Sequence, residues 1–171
     1  MAEGFAVEPG RVAVADLLGV DLVEDAERGR ADAFGGRLDD LDRVHEIEAL
    51  ASHLDNLQIV IDHCFMLNTF RKTEATLRAL EWLSKLPNIH AKLTSGTHGS
   101  ARVYPHEDMH GPLKRIIEAF TPERCVWGSN FPNALWSKGT SYAENLSLFT
   151  EEIGLSQSDQ EAILGGTAER L

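Results

Sequence analysis

The sequence predicts an α/β protein in which parallel strands alternate with helices. Three short apolar runs, 57–61, 89–93 and 125–127, are rich in β-branched or aromatic residues, and polar or turn-forming residues end each of them. A helical pattern follows every run. Strands joined by helices run parallel, so their carboxyl ends share one edge of the sheet. Because the sites of such folds collect at that edge, the polar groups that end the runs are candidate site residues.

The first predicted elements follow one another closely. Apolar residues at helical spacing predict a helix over about 43–54, and strand 57–62 comes next. A second helix begins near Thr73, a good capping residue, and ends before Pro87. Strand 89–94 completes a strand–helix–strand unit of ordinary length.

The second half repeats this order. A loop over 95–109 leads to a helix that begins at Pro112, since a first helical turn does not need the N–H that proline lacks. Strand 124–128 follows it. A helix over 141–153 is expected to turn three side chains inward, Tyr142, Leu146 and Phe149. Ser156 and Ser158 then open a last helix that runs towards the end of the sequence.

Composition bounds the class of protein. The 171 residues suffice for one domain with a core, and 43% hydrophobic with 25% charged residues is typical of a globular chain. No apolar stretch approaches the roughly 18 residues of a membrane span, and no signal-peptide pattern opens the sequence. Two cysteines give no disulfide framework, which favours a reducing cytoplasm. The net charge of −11 argues against nucleic-acid binding.

The acidic charge is concentrated at the N-terminal side. Residues 1–48 hold 13 acidic residues against 5 arginines, whereas the rest of the chain is nearly balanced. We therefore separate an acidic segment of unassigned structure, residues 1–43, from a second region, residues 44–171. The acidic segment contains one strand-like run over 11–17 and then a charged, turn-rich stretch.

Alternation along the strands predicts which side chains point together. Side chains two residues apart share a face of a sheet. Three such sets end the three runs: Ile59, Ile61 and His63; His90, Lys92 and Thr94; Val126, Gly128 and Asn130. If one sheet face is the interior of a barrel, His63, Lys92 and Asn130 converge at its mouth.

Three strings carry a resemblance to a known family. They are IVIDH at 59–63, LPNIHAKLTSG at 86–96 and ERCVWGSNFP at 123–132, and the closing residues 162–171 add a fourth. In this order and spacing they resemble the C-terminal half of the amidohydrolase-related family. That family is a branch of the metal-dependent hydrolase superfamily of TIM barrels that includes lactonases and some decarboxylases. The implied fold is a partial (β/α)8 TIM barrel over residues 44–171.

The resemblance also implies a catalytic site. It places His63 at the end of the sixth barrel strand and Asn130 at the end of the eighth, where relatives usually carry Asp. An amide orients water but cannot take its proton, so His63 is the candidate acid/base and Asn130 the residue that positions water or substrate. Lys92 and Trp136 are candidate substrate-binding residues.

Two departures from the family pattern bear on cofactors and completeness. The His-x-His pair of the family's first strand occurs nowhere in this sequence. No metal ligand is therefore assigned and the cofactor is unknown, although related proteins use a divalent metal such as zinc. A whole barrel takes about 250 residues, so we expect a truncated chain, whose exposed barrel edges favour self-association.

Each candidate has a structural alternative. His63 would be a hydrogen-bonded structural histidine, Lys92 would pair with a neighbouring carboxylate, and Asn130 would stabilise the turn before Pro132. Trp136 would pack on helices rather than line the pocket. Three further histidines, His98, His106 and His110, are expected to be solvated loop residues, and Cys64 and Cys125 to be small buried hydrophobes.

Three classes of function remain open at this point. The first is a cytoplasmic hydrolase that acts on a lactone or similar ester carbonyl of a small molecule. The second is a catalytically silent barrel fragment. The third is a binding module that uses the residues of the barrel mouth without chemistry.

Overall fold

The computed structural model describes residues 12–15, 43–94, 99–131 and 139–171. Helices and strands alternate along most of this chain. In order they are β1 Val12–Ala15, α1 Val44–His53, β2 Gln58–Ile61, α2 Thr73–Leu83, β3 Ile89–Leu93, α3 Glu107–Phe120, β4 Cys125–Trp127, α4 Tyr142–Ser147, α5 Gln157–Glu161 and α6 Thr167–Arg170. A π-helical turn, Leu148–Glu152, continues α4, and another, Ala162–Gly166, joins α5 to α6.

The described strands form one parallel sheet in the order β1-β2-β3-β4. Ile59 pairs with Ile89, Ile61 with Ala91, and Ala91 with Cys125. The backbone of β1 pairs with β2 in the same direction, which confirms the strand-like run in the acidic segment. The parallel α/β fold predicted from the sequence is therefore confirmed.

The two faces of the sheet differ in what covers them. Residues in register on parallel strands point to the same face. On one face Ile61, Ala91 and Cys125 are fully buried in the core that α2 and α3 complete through Leu80 and Ile116. The opposite face carries Val60, which lies outside this core, followed by the paired His90 and then Lys92. Lys92 thus lies on the face opposite the one that α2 and α3 cover.

Asn88 fastens the first helix to the sheet. Its side-chain amide donates to the carbonyl oxygens of Ala51 and Leu57, each at 3.0 Å, and of Leu54 at 3.2 Å. The Asn88 carbonyl in turn accepts from the Ile59 N–H at 2.8 Å. One buried residue therefore satisfies several backbone groups where α1 turns into β2.

Two details of the predicted helices are wrong. The helix α3 begins at Glu107, so Pro112 is its sixth residue and not its first. The apolar stripe starts earlier than expected, because Met109 is fully buried one turn before Leu113. Tyr142 was expected to face inward and is about half exposed, whereas the burial expected of Phe149 is confirmed; Leu148 is buried beside it because the π-helical turn shifts the helical phase.

Within the described residues, no helix is both long and apolar enough to cross a membrane.

Candidate functional site

A left-handed turn follows the strand β2. Asp62 is extended, and the next four residues, His63–Met66, all have positive φ, at 49°, 49°, 56° and 52°. We call these four residues the left-handed turn. None of them is glycine, and the left-handed conformation costs an ordinary residue about 1–2 kcal/mol. A run of four is therefore a strained segment that its surroundings must hold.

This turn decides where His63 points. Strict alternation would place His63 on the helix-covered face with Ile59 and Ile61, whereas Lys92 lies on the opposite face, so alternation alone does not bring His63 and Lys92 together. The residue that alternation brings to the Lys92 face is Asp62, because Val60 pairs with His90. His63 reaches the same place because the strand ends at Ile61 and the left-handed turn redirects its side chain.

Asp62 is the centre of the cluster. Its Oδ1 accepts from the His63 backbone N–H at 2.9 Å and lies 2.8 Å from Lys92 Nζ. Its Oδ2 lies 3.5 Å from His63 Nε2. The Asp62 side chain is only 14% exposed, which shields these contacts from water. Sequence reasoning had not assigned Asp62 to the site.

Thr94, the residue directly after β3, completes the cluster. Its hydroxyl is hydrogen-bonded to His63 Nδ1, and the residue is almost fully buried. Asp62 and Thr94 thus hold the two ring nitrogens of His63 from opposite sides. Thr94 was recognised as sharing a face with Lys92 but not as a site residue.

Gly128 lets the end of β4 approach this cluster. Its N–H donates to Leu93 O at 3.3 Å. A Cβ at this position would lie 2.7 Å from Thr94 Cγ2 and 2.8 Å from Lys92 Cε, closer than any real contact. Asn130, two residues further, is partly exposed and has a φ of 57°, which asparagine tolerates better than most residues.

The structure brings some of the predicted site residues together and does not test the roles of others. His63 and Lys92 meet through Asp62, and the carboxylate pairing considered for Lys92 is present. The Lys92 side chain is 31% exposed, so part of it is open to solvent. The role of Asn130 stays a prediction. Trp136 and His98 lie outside the described residues.

The other predicted histidines and the cysteines are structural. His106 is almost fully buried and its Nδ1 is hydrogen-bonded to Arg102 O at 2.9 Å, so the expectation that it is a solvated loop residue is wrong. His110 lies in α3, with Nε2 hydrogen-bonded to Pro105 O at 2.7 Å. Cys64 and Cys125 are free, buried thiols, as expected. Burial raises the pKa of Cys64 well above its usual value and that of Cys125 to about 12.

The donor set of the cluster does not fit a metal ion. In the part of the chain that the structure describes, no three His, Cys, Asp or Glu side chains converge. The Asp62 carboxylate already faces the Lys92 ammonium at 2.8 Å, a cation that would repel a second one. Asn130 offers a neutral amide where the resemblance leads one to expect a carboxylate. Among the described residues, the groups available for chemistry at this cluster are therefore the side chains of Asp62, His63, Lys92 and Thr94.

Comparison with known proteins identifies the relatives of this chain. A family model described as Amidohydrolase matches residues 38–171. An amidohydrolase from Burkholderia multivorans with bound HEPES is 25% identical, with a TM-score of 0.64 over 80% of this chain and 50% of that one. The zinc-bound form of that enzyme gives 24% identity and a TM-score of 0.68 over 94% of this chain and 63% of that one.

A third structure shares the fold as well. A protein from Pseudomonas putida, provisionally described as a 2-pyrone-4,6-dicarboxylic acid hydrolase, is 24% identical, with a TM-score of 0.59 over 74% of this chain and 48% of that one. The present chain thus spans about half to three fifths of the length of these proteins. No curated protein matches the sequence.

Proposed function

Because the chain belongs to the amidohydrolase family, we propose that it is, or is part of, a hydrolase. In the proposed reaction an activated water molecule attacks the carbonyl carbon of a lactone or a similar ester. The lactone class is supported by the likeness to a protein described as a pyrone-dicarboxylate hydrolase. Two free, buried thiols support a reducing, cytoplasmic setting.

One observation carries the proposal: the His63 ring is held between a carboxylate and a hydroxyl at the carboxyl ends of adjacent parallel strands. Asp62 Oδ2 beside Nε2 favours the tautomer that carries the proton on Nε2, so Nδ1 accepts from the Thr94 hydroxyl. Nδ1 can then take the Thr94 hydroxyl proton while Thr94 Oγ1 takes one from the attacking water, and the Asp62 carboxylate stabilises the positive charge on the ring.

Lys92 supplies the electrostatic part of the reaction. An ammonium has three N–H donors, and its pairing with Asp62 Oδ1 uses one of them. A further donor can polarise the scissile carbonyl and stabilise the oxyanion that develops on it. Asn130 orients the attacking water, and Trp136 contacts the body of the substrate.

The test is hydrolysis by the full chain and by two histidine variants. Purified protein is assayed against a panel of lactones and simple esters. We expect His63→Gln to lower kcat by about 100-fold or more, because it removes the acid/base group. The control is His45→Gln, since His45 lies on α1 with its side chain 80% exposed. Undiminished turnover in His63→Gln, or no turnover on any substrate, rejects the proposal.

The alternatives give different results in the same experiment. The Asp62–Lys92 pair and the neutral Asn130 would also suit a binding module. Saturable binding of a lactone, measured by calorimetry without turnover, would favour that function. A catalytically silent fragment would bind nothing and would unfold with a broad, weakly cooperative transition.

A further inference from the structure

The left-handed turn is strained, and strained segments persist only where the surrounding structure determines them. Its four residues adopt positive φ without the help of a glycine. The backbone closes on itself, because the Leu67 N–H donates to His63 O at 3.3 Å and to Cys64 O at 3.2 Å. Closure of one turn by these bonds is too weak to hold the conformation alone.

The Cys64 thiol fixes the turn to the neighbouring strand. Cys64 is fully buried, and its Sγ donates to the backbone carbonyl of Lys92 at 3.2 Å. This bond joins the residue after His63 to the residue that pairs with Asp62. It therefore ties the conformation of the turn to β3, which carries Lys92 and leads directly into Thr94.

The loop after β3 supports the turn from its other end. A Cβ on Gly99 would collide with the carbonyl oxygen of Leu67, so only a glycine lets the loop lie against the turn here. The Gly99 carbonyl also accepts from the Thr69 N–H at 2.8 Å. The turn is thus held to β3 through Cys64, and the residues that leave it, Leu67 and Thr69, are held against Gly99.

We propose that the left-handed turn is a positioning element for His63 and that the Cys64 thiol is the positioning group that holds it. Cys64 touches neither substrate nor reacting atoms; it acts through the backbone of the turn. The catalytic consequence rests on the proposed function, whereas the geometric one does not.

Cys125 provides a matched comparison. It is also a fully buried free thiol, on β4, and it packs in the same core. Truncation of either cysteine to alanine removes one sulfur atom from the same hydrophobic core. Only Cys64 belongs to the turn, so only its loss should move His63.

The experiment compares Cys64→Ala, Cys64→Ser and Cys125→Ala in the full chain by NMR. The His63 ring signals are assigned by their loss in His63→Gln, and the readout is the NOE between this ring and the Thr94 methyl group. We expect Cys64→Ala to abolish the NOE, and Cys64→Ser, which keeps a donor for Lys92 O, and Cys125→Ala to retain it. An unchanged NOE in Cys64→Ala, or an equal loss in Cys125→Ala, overturns the proposal.

A second variant keeps the test decisive if Cys64→Ala does not fold. Met66→Val makes the left-handed conformation harder to adopt without emptying the core, since a β-branched residue disfavours positive φ, whereas Met66→Gly relieves the strain. We expect Met66→Val to fold with a lower Tm and a weakened NOE, and Met66→Gly to keep the NOE with a higher Tm; an undiminished NOE in Met66→Val overturns the proposal.

Kinetics separate this proposal from the function on which it rests. If the wild-type chain hydrolyses a lactone, Cys64→Ala should lower kcat by about 10- to 100-fold with little change in KM. The NOE needs no turnover. A lost NOE in Cys64→Ala with no hydrolysis by the wild type would reject the proposed function and leave the positioning role standing.

Discussion

Substitution of Gly128 by alanine should break the contacts of Thr94 with His63 and of Lys92 with Asp62 without unfolding the chain. The added Cβ would lie 2.7 Å from Thr94 Cγ2 and 2.8 Å from Lys92 Cε. Carbon atoms in contact sit about 3.5–4.0 Å apart, so each neighbour must move by roughly 1 Å. Thr94 cannot turn without releasing His63, and Lys92 cannot withdraw without leaving Asp62.

The expected cost follows from these contacts. Inserting a methyl group into a packed region costs about 1–3 kcal/mol. Loss of the partly exposed Lys92–Asp62 pair adds about 0.2–1 kcal/mol. For a chain of this length each kcal/mol lowers Tm by about 2–4 °C, so we expect Tm to fall by roughly 2–16 °C.

The assay combines thermal unfolding with the NOE between His63 and Thr94. The matched control is Gly111→Ala in the exposed part of α3, where a Cβ would meet nothing within 4 Å. That variant should gain about 0.5–1 kcal/mol from helix propensity. A Gly128→Ala protein with wild-type Tm and an undisturbed NOE would refute the account of how Gly128 shapes the site.

Two further predictions concern stability. Asn88→Ala removes the amide that serves three backbone carbonyls and should lower the free energy of unfolding in urea by about 2–4 kcal/mol; a loss below about 0.5 kcal/mol contradicts the fastening role. Burial, with Arg124 nearby, lowers the pKa of His90 from 6.5, so the unfolded chain binds the proton more tightly. The free energy of unfolding of the wild-type chain should therefore decline as the pH falls below about 6.5, and it should decline more steeply than that of His90→Gln. Equal slopes of unfolding free energy against pH in the two proteins would contradict the prediction.

The strands and most helices were predictable because burial of apolar side chains governs them. The runs at 57–61, 89–93 and 125–127 contain β2, β3 and β4, and their order led directly to a parallel sheet. The start of α3 was missed because Pro112 is a strong signal for a first turn. Burial of Met109 outweighs the single backbone bond that the proline removes.

The site was harder to predict because it depends on the phase of the strands. A pattern of alternation leaves open which face meets the helices, and only the pairing of Val60 with His90 reveals that Asp62 joins Lys92. The left-handed turn has no signature in its side chains. Cys64, Phe65 and Met66 disfavour positive φ, so the feature that brings His63 to Asp62 and Thr94 arises from tertiary contacts alone.

The rates at which the two buried thiols are alkylated would report how often the fold opens locally around each of them. Alkylating reagents attack a thiolate that solvent can reach, and neither sulfur meets that condition in the closed state. Alkylation therefore requires local opening of the fold. The rate at Cys64 reports opening next to β2, and the rate at Cys125 reports opening of β4. The ratio of the two alkylation rates, measured by mass spectrometry, would show which of these two regions of the sheet opens more often.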